Sequence, residues 1–175
     1  MNDTYYKELL MGLDNIPHHY PCDKAGTSVR VALKDKDGNP ILDENTDVPV
    51  TQINCDDTIE NGGCPYKNAH VKANLKSGGV TGMFGTYCWY RGKFGNYLLE
   101  ALDMNDDVWN FYGDNEDGTF KTAESCRALA DEMERVKALH GQVMLDGEDM
   151  TDEVDYAIWY LRWSADNCDG LDAWY

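Results

Sequence analysis

The sequence predicts an α+β fold, arranged as a single domain over residues 1–175, and three observations lead to this prediction. Polar and apolar residues alternate over Ser28–Lys34 and Val48–Ile53, which predicts a small antiparallel sheet within about residues 28–53. Glycines are frequent over 55–85, which indicates a glycine-rich loop region. Apolar residues then recur at helical spacing in the C-terminal half. Because the helices follow the strands instead of alternating with them, a doubly wound parallel sheet is not favoured.

The elements predicted in the N-terminal half are short. Thr4–Leu13 is predicted to form an amphipathic helix, because Tyr5, Leu9 and Leu13 fall on one face. This helix should end before Pro17, since the residue preceding a proline is disfavoured in the helical region. Between the two predicted strands, Lys36–Pro40 has the composition of a turn.

Three helices are predicted in the C-terminal half, over Lys93–Leu102, Thr122–His140 and Thr151–Cys168. The second and third begin at threonines that can act as N-caps, and each has acidic residues in its first turn. Glycines follow both, Gly141 after the second and Gly170 after the third, and are expected to end them.

The last predicted helix is apolar on two faces. One face is a core stripe at helical spacing, formed by Val154, Ile158, Leu161, Ala165 and Cys168. The other is aromatic and contains Tyr156, Tyr160 and Trp163. Such a helix is either sandwiched within the protein or presents one face to a partner, and the sequence leaves both possibilities open.

Negative charge is distributed unevenly along the chain. The formal charge is −17 overall, with −3 in residues 1–100 and −14 in residues 101–175. A chain this acidic is repelled by phosphate, so direct binding to nucleic acid or to an anionic membrane is not expected. The same field attracts a basic groove, including one that holds DNA or RNA. The alternative interpretation is that the charge serves only solubility.

The sequence contains no predicted membrane span. No apolar run reaches the ~18–20 residues that a membrane helix requires. The N-terminal residues also lack the basic start and long apolar stretch of a signal peptide. A cytoplasmic protein is therefore expected.

Six cysteines need an explanation in such a protein, because cytoplasmic proteins seldom keep disulfides. Cys126 and Cys168 lie within helical apolar stripes and are expected to be small buried side chains. The glycine-rich region contains a different set, with thiol and imidazole groups that suit tetrahedral zinc: Cys55, Cys64, His70 and Cys88. A structural zinc ion would offset the cost of ordering a loop that has few apolar side chains.

Other interpretations of these cysteines remain open. Their spacing lacks the paired Cys-x2–4-Cys knuckles of zinc ribbons, so they are equally compatible with reduced thiols that bind no metal. A disulfide is the third possibility. A second cluster, His18, His19 and Cys22, could supply a ligand in place of His70.

No pattern in the sequence indicates catalysis. Neither a phosphate-binding loop of the Gly-x4-Gly-Lys-Ser/Thr type nor a dinucleotide-binding glycine pattern between strand and helix is present. The segment Asp35–Asn39 has its glycine two positions too early for a calcium loop. Cys88 has His70 upstream, but nothing local marks it as an activated nucleophile. We therefore predict no catalytic residues and a protein that is not an enzyme.

A small, acidic chain without a catalytic pattern is similar in type to the accessory proteins of phages and other mobile elements, and it most resembles the anti-CRISPR inhibitors. This resemblance implies a stoichiometric inhibitor that binds a CRISPR effector such as a Cas9-like nuclease and blocks nucleic-acid loading or cleavage. The alternative is a zinc-stabilised structural or interaction module with no anti-defence role.

The partner-binding surface is predicted on the last helix and the residues just before it. Its anchors would be Tyr156, Tyr160 and Trp163, because aromatic side chains ringed by charge are typical of interface hot spots. Nearby carboxylates would steer a basic surface towards them: Asp149, Asp152, Glu153 and Asp155.

Overall fold

The computed structural model describes residues 13–64, 69, 73, 75, 87–104 and 108–174. Within these ranges the α+β prediction is confirmed, since helices pack beside short antiparallel sheets. The predicted helix Thr4–Leu13 lies outside the described residues, apart from its last position.

The described elements follow one another in a simple order. The N-terminal part contains β1 (Asp14–Pro17), α1 (Pro21–Lys24), β2 (Arg30–Ala32), β3 (Thr51–Ile53) and α2 (Cys55–Glu60). The C-terminal part contains α3 (Gly92–Ala101), β4 (Phe120–Thr122), α4 (Ala123–His140), β5 (Met144–Leu145), β6 (Glu148–Asp149), α5 (Thr151–Asn167) and β7 (Gly170–Trp174).

The predicted N-terminal sheet is the pair β2–β3. These strands are antiparallel, with Arg30 opposite Ile53 and Ala32 opposite Thr51. Isolated bridges extend the ladder, one of them joining Lys34 to Pro40 across the predicted turn. The Asp35 carboxylate stabilises this turn by accepting the amide N–H groups of residues 37 and 39, each at 2.9 Å.

A three-stranded antiparallel sheet in the order β1–β7–β4 joins the two ends of the described chain, and the sequence analysis did not predict it. Asp14 pairs with Trp174 and Ile16 with Asp172, so these four side chains lie on one face. The opposite face carries buried residues of the same strands: Asn15, Pro17, Leu171 and Ala173. The sheet therefore has one face on the core and one turned outward.

Helices α4 and α5 are the best-predicted elements. Thr122 caps α4 by accepting the Ser125 amide N–H at 3.1 Å, and Gly141 ends it with a φ of 73°. The α5 helix begins at Thr151 as predicted, but its N-cap is Met150 and not Thr151. Thr151 is its first helical residue, and its hydroxyl accepts the Val143 amide N–H at 3.1 Å instead.

The segment 55–60 is helical, although the sequence analysis placed it in a loop. Asn54 caps this short α2 helix by accepting the Asp57 amide N–H at 3.1 Å. Acidic residues occupy the first turn, where they complement the exposed amide groups. These local signals outweigh the glycines that follow at 62 and 63.

The hydrophobic core lies between α3, α4, α5 and the inner face of the β1–β7–β4 sheet. At its centre, the Tyr90 ring stacks on Tyr160 at a centroid distance of 4.8 Å and on Phe111 at 5.4 Å. Stacked pairs of this kind contribute roughly 0.5–1.5 kcal/mol each beyond their buried area. Gly95 of α3 lets the Phe111 ring approach, since a Cβ there would lie 2.6 Å from it.

No helix of the described part is both long enough and apolar enough to cross a bilayer.

Candidate functional site

The aromatic face of α5 is buried, which corrects the prediction that it anchors a partner. The exposed fractions of Tyr156, Tyr160 and Trp163 are 1%, 0% and 7%. Their rings pack in the core, where Tyr156 and Tyr160 both stack on Tyr90. The helix is therefore sandwiched, which is the other possibility that its two apolar faces left open. Helical periodicity is the same for both arrangements and could not separate them.

The four carboxylates predicted to steer a partner lie in different environments. Asp149 and Asp152 are exposed beside the β5–β6 hairpin and the start of α5. Glu153 is half-buried, and Asp155 forms an ion pair with Lys137. Asp149 also accepts the Thr151 amide N–H at 3.0 Å, so it shapes the helix start.

All five basic side chains of residues 101–175 are engaged by carboxylates of the same region. Arg162 of α5 contacts Asp131 and Glu134 of α4, at 2.7 Å each. The other pairs are Lys121–Asp114, Arg127–Asp166, Arg135–Glu132 and Lys137–Asp155. Three of these basic residues, Arg127, Lys137 and Arg162, pair across the antiparallel helices α4 and α5. The pairing also leaves the surface of this half dominated by its excess of carboxylates.

A groove of about 740 Å³ separates the outer face of the β1–β7–β4 sheet from the β2–β3 pair. The sheet contributes Asp14, Ile16, Pro17, Asp172 and Trp174, and all of these except Pro17 lie on its outward face. Other lining residues come from four further segments: His18, His19, Tyr20, Asp23, Arg30, Thr51, Gln52, Tyr87 and Trp89. Trp174 is 68% exposed at the rim.

The polar groups of the groove are arranged in pairs. His18 Nδ1 lies 2.8 Å from Asp172 Oδ1, and the His18 ring packs on Phe120 at 4.2 Å between centroids. Arg30 forms an ion pair with Asp23 and donates its Nε–H to the Thr51 hydroxyl at 3.0 Å. These contacts link neighbouring segments of the groove walls.

Four cysteines between β1 and α3 are buried: Cys22, Cys55, Cys64 and Cys88. His70, the remaining predicted zinc ligand, lies outside the described residues. Burial and the neighbouring Cys64 raise the pKa of the Cys22 thiol. Burial also raises the pKa of Cys55, and Cys64 adds to this effect while the Tyr87 amide N–H opposes it.

The remaining cysteines match their prediction as small core side chains. Cys126 and Cys168 are fully buried in and after the long helices, and burial raises the pKa of Cys126 to about 12. A thiol of this kind stays protonated and unreactive at neutral pH. Among the described residues, no three His, Cys, Asp or Glu side chains are placed so that they could hold a metal ion.

Comparison with known proteins gives no relative: no family model, curated protein or solved structure matches the chain.

The groove is the feature that sequence analysis missed. Its outer wall depends on β1 pairing with β7, which brings Asp14 beside Trp174 from opposite ends of the chain. One local signal was present, because polar Asp172 lies between apolar Leu171 and Ala173 just after a predicted helix. Alternation would have indicated a strand but not its partner.

Proposed function

We propose that this chain is a non-catalytic binding protein that presents an acidic surface to a protein with a basic, nucleic-acid-binding surface. More specifically, the partner is a CRISPR effector such as a Cas9-like nuclease in the bacterial cytoplasm. The chain inhibits it by occupying sites that otherwise bind phosphate, which blocks nucleic-acid loading or cleavage.

One observation supports this proposal above the others: the cations of the C-terminal part are all used internally. Each of its five basic side chains is held by a carboxylate, and the region has a net charge of −14. Within that part, every lysine and arginine is therefore in an ion pair, and the excess of carboxylates makes the surface negative. A surface of this kind accelerates association with a basic partner and repels nucleic acid itself.

Trp174 is the aromatic residue best placed to anchor such a partner. It is 68% exposed and lies on the outward face of the sheet beside Asp172 and opposite Asp14. An indole next to carboxylates suits an arginine or lysine side chain, since both cation–π attraction and charge favour the cation. The same pairing already occurs in the groove region, where the Arg91 guanidinium lies 5.3 Å from the Trp89 ring centroid.

Salt dependence tests the proposal directly. Binding to purified Cas9-type effectors would be measured from 50 to 500 mM salt, alongside a DNA-cleavage assay with each effector. We expect affinity to fall as salt rises, because exposed charges are screened over ~8–10 Å at physiological ionic strength. Cleavage should stop at stoichiometric amounts of the protein. Absence of both binding and inhibition would contradict the inhibitor role.

A charge-reversal pair locates the binding surface. The test variant combines Glu148→Lys and Asp152→Lys, both exposed at the hairpin end of α5. The matched control combines Asp37→Lys and Glu44→Lys, which make the same charge change at exposed positions of the N-terminal part. We expect the test variant to lose about tenfold in affinity, equivalent to ~1.4 kcal/mol, and the control to lose less than about twofold. Equal losses would mean that only total charge matters.

The alternative function is a zinc-stabilised interaction module with no anti-defence role, and the burial of Cys22, Cys55 and Cys64 in segments joined by backbone contacts is the observation that favours it. The two functions predict different behaviour in the same assay. A module of this kind would leave nuclease activity unchanged at every salt concentration, while an inhibitor would not.

A further inference from the structure

The groove between the outer face of the β1–β7–β4 sheet and the β2–β3 pair carries more negative than positive charge. Its lining includes three carboxylates, Asp14, Asp23 and Asp172, and one permanent cation, Arg30. Arg30 already forms an ion pair with Asp23, so these two charges offset each other. The other two carboxylates both belong to the sheet. With the histidines neutral at pH 7, the sheet side of the groove therefore favours a positively charged ligand.

Both carboxylates on the sheet side can accept further hydrogen bonds. Asp172 uses its Oδ1 atom, which lies 2.8 Å from His18 Nδ1, and its Oδ2 atom forms no hydrogen bond with a described residue. The Asp14 side chain forms neither a hydrogen bond nor an ion pair with any residue that the structure describes. An ionised carboxylate can accept about four hydrogen bonds, so a cation rich in N–H donors matches both groups.

Trp174 lies between these two carboxylates on the outward face of the sheet. It is opposite Asp14 in the antiparallel register, and Asp172 precedes it by two positions in β7. Side chains directly opposite each other have Cβ atoms ~4.5–5.5 Å apart, and residues two positions apart along a strand are separated by ~6.4–6.8 Å. The Trp174 side chain is 68% exposed. An exposed indole flanked by carboxylates in this way suits a cation that lies on its face.

A guanidinium group fits this arrangement better than an ammonium group. It is planar, so it can lie flat on an indole, and its five N–H donors form a fork that reaches carboxylates at its edge. The chain itself contains such a pair in the same groove. The Arg91 guanidinium lies 5.3 Å from the ring centroid of Trp89, which is a lining residue.

We propose that the groove binds an arginine side chain from a peptide segment of the partner, with the guanidinium on Trp174 and its N–H groups donating to Asp14 and Asp172. The volume of about 740 Å³ lies within the ~300–1,000 Å³ of typical ligand pockets, so residues beside the arginine can also enter. On the opposite wall, the Gln52 amide can donate to and accept from their backbone. This inference deepens the proposed function and rests on it, since it names the part of the partner that enters the groove.

Short peptides test the site on the unmodified protein. The indole N–H signals of 15N-labelled protein would be followed by NMR while acetylated and amidated Gly-Arg-Gly is added to about 10 mM, which detects even weak binding. We expect a saturable shift of the Trp174 signal and none for Trp163, which is 7% exposed in the core. Gly-Lys-Gly should bind more weakly, and Gly-citrulline-Gly, which keeps the shape without the charge, should give no saturable shift. Failure of the arginine peptide to bind, or equal binding of either other peptide, would overturn the inference.

Two variants locate the peptide within the groove. Asp14→Asn keeps the shape of the side chain and removes its charge, and Trp174→Ala removes the indole. Each should weaken binding of the arginine peptide about five- to tenfold. The matched control is Asp37→Asn, an exposed carboxylate that does not line the groove, and it should stay within about twofold. Equal losses in Asp14→Asn and Asp37→Asn would contradict a localised site. If a variant does not fold, the peptide series decides the question.

A second copy of the chain is the competing occupant of the groove, and sedimentation at the NMR concentration tests it. A monomer supports a groove that is open to a partner. A dimer that is lost in Trp174→Ala would make the groove an interface between copies and would rule out the peptide site.

The outcome for the groove can be separated from the outcome for the proposed function. If the arginine peptide does not bind but Cas9-type effectors are still inhibited, only the groove inference is wrong. If the peptide binds and no effector is inhibited, the inhibitor role is wrong and the site for an arginine peptide remains.

Discussion

The Tyr160 hydroxyl donates a hydrogen bond to the backbone carbonyl of Cys88 at 2.7 Å, deep within the core. The Tyr160 side chain has no exposed surface, and its ring stacks on Tyr90, two residues beyond Cys88. This contact ties α5 to the segment that enters α3. A residue whose sequence pattern suggested a binding anchor thus has a structural role.

Replacing Tyr160 with phenylalanine tests this role. The Cys88 carbonyl loses its donor while the ring keeps its packing, so we expect a decrease of about 1–3 kcal/mol in the free energy of unfolding. Urea denaturation measures it. The control is Tyr97→Phe, because the Tyr97 hydroxyl donates to Asp146 at 2.6 Å on the exposed surface. Tyr97→Phe should change the free energy of unfolding by less than about 0.5 kcal/mol. Equal losses in Tyr97→Phe and Tyr160→Phe would contradict the structural role of Tyr160.

The helices could be predicted from sequence because their signals are local. The Thr122 cap, the apolar stripe of α4 and the stop at Gly141 lie within one short stretch of chain. The central sheet could not be predicted in this way, since the β1–β7 pairing joins the two ends of the described chain. No local pattern specifies which distant strand becomes a neighbour.

The candidate sites, like the fold, could be predicted from the sequence only where the signal is local. The cysteines of the glycine-rich region were recognised from chemistry, but spacing alone could not show that the segments carrying Cys22 and Cys64 approach each other. That proximity depends on Thr27 contacting Gly63, a tertiary contact. For the acidic surface, composition predicted the excess of negative charge. It could not predict that the basic residues of the same region are used in internal ion pairs.

A partly buried ion pair makes stability depend on pH. Burial alone would raise the pKa of Asp114, but hydrogen bonds from Lys121 Nζ at 2.8 Å and the Thr122 amide N–H at 3.0 Å hold it below the ordinary value of 3.8. Because the pKa is lower in the folded state than in the unfolded state, the ionised carboxylate stabilises the fold at pH values above the unfolded-state pKa. This contribution is lost as the pH falls through the folded-state pKa. In Asp114→Asn, the decline of stability between about pH 5 and 2.5 should therefore be shallower than in the unmodified protein.

The contribution of the Lys121–Asp114 ion pair to stability can also be measured at neutral pH. Lys121 is only 5% exposed, so Asp114→Asn leaves a buried cation without its partner and should cost about 2–4 kcal/mol. Adding Lys121→Met should restore part of that loss, because it removes the buried charge. Glu116→Gln, an exposed change in the same turn, is the control. Denaturation of the single and double variants gives the coupling, and strictly additive effects would show that the pair is not coupled.

The Arg162 bridge between α4 and α5 should contribute modestly and depend on salt. Arg162 contacts Asp131 and Glu134 but remains 37% exposed. We expect Arg162→Met to lower the free energy of unfolding by about 0.5–1 kcal/mol at low salt and by less at 0.5 M salt. The comparison is Arg135→Met, whose partner Glu132 lies on the same helix and does not join two elements. An effect unchanged by salt would indicate lost packing instead of lost charge.

Gly95 tests the tight contact between α3 and the aromatic core. A methyl group there would lie 2.6 Å from the Phe111 ring, closer than van der Waals contact allows, so the ring or the helix must move. Although alanine is the better helix former, we expect Gly95→Ala to destabilise the protein by about 1–3 kcal/mol, because overpacking outweighs a propensity gain of about 1 kcal/mol. Thermal and urea denaturation would measure it.

A second substitution tests whether a steric conflict with Phe111 causes the loss of stability in Gly95→Ala. Phe111→Leu removes part of the ring that the new methyl group would meet, at its own cost in buried area. If steric conflict is responsible, Gly95→Ala should cost less in the Phe111→Leu background than in the unmodified protein, with a favourable coupling of 0.5 kcal/mol or more. Equal costs in both backgrounds would place the strain elsewhere in α3 and contradict a close Gly95–Phe111 contact.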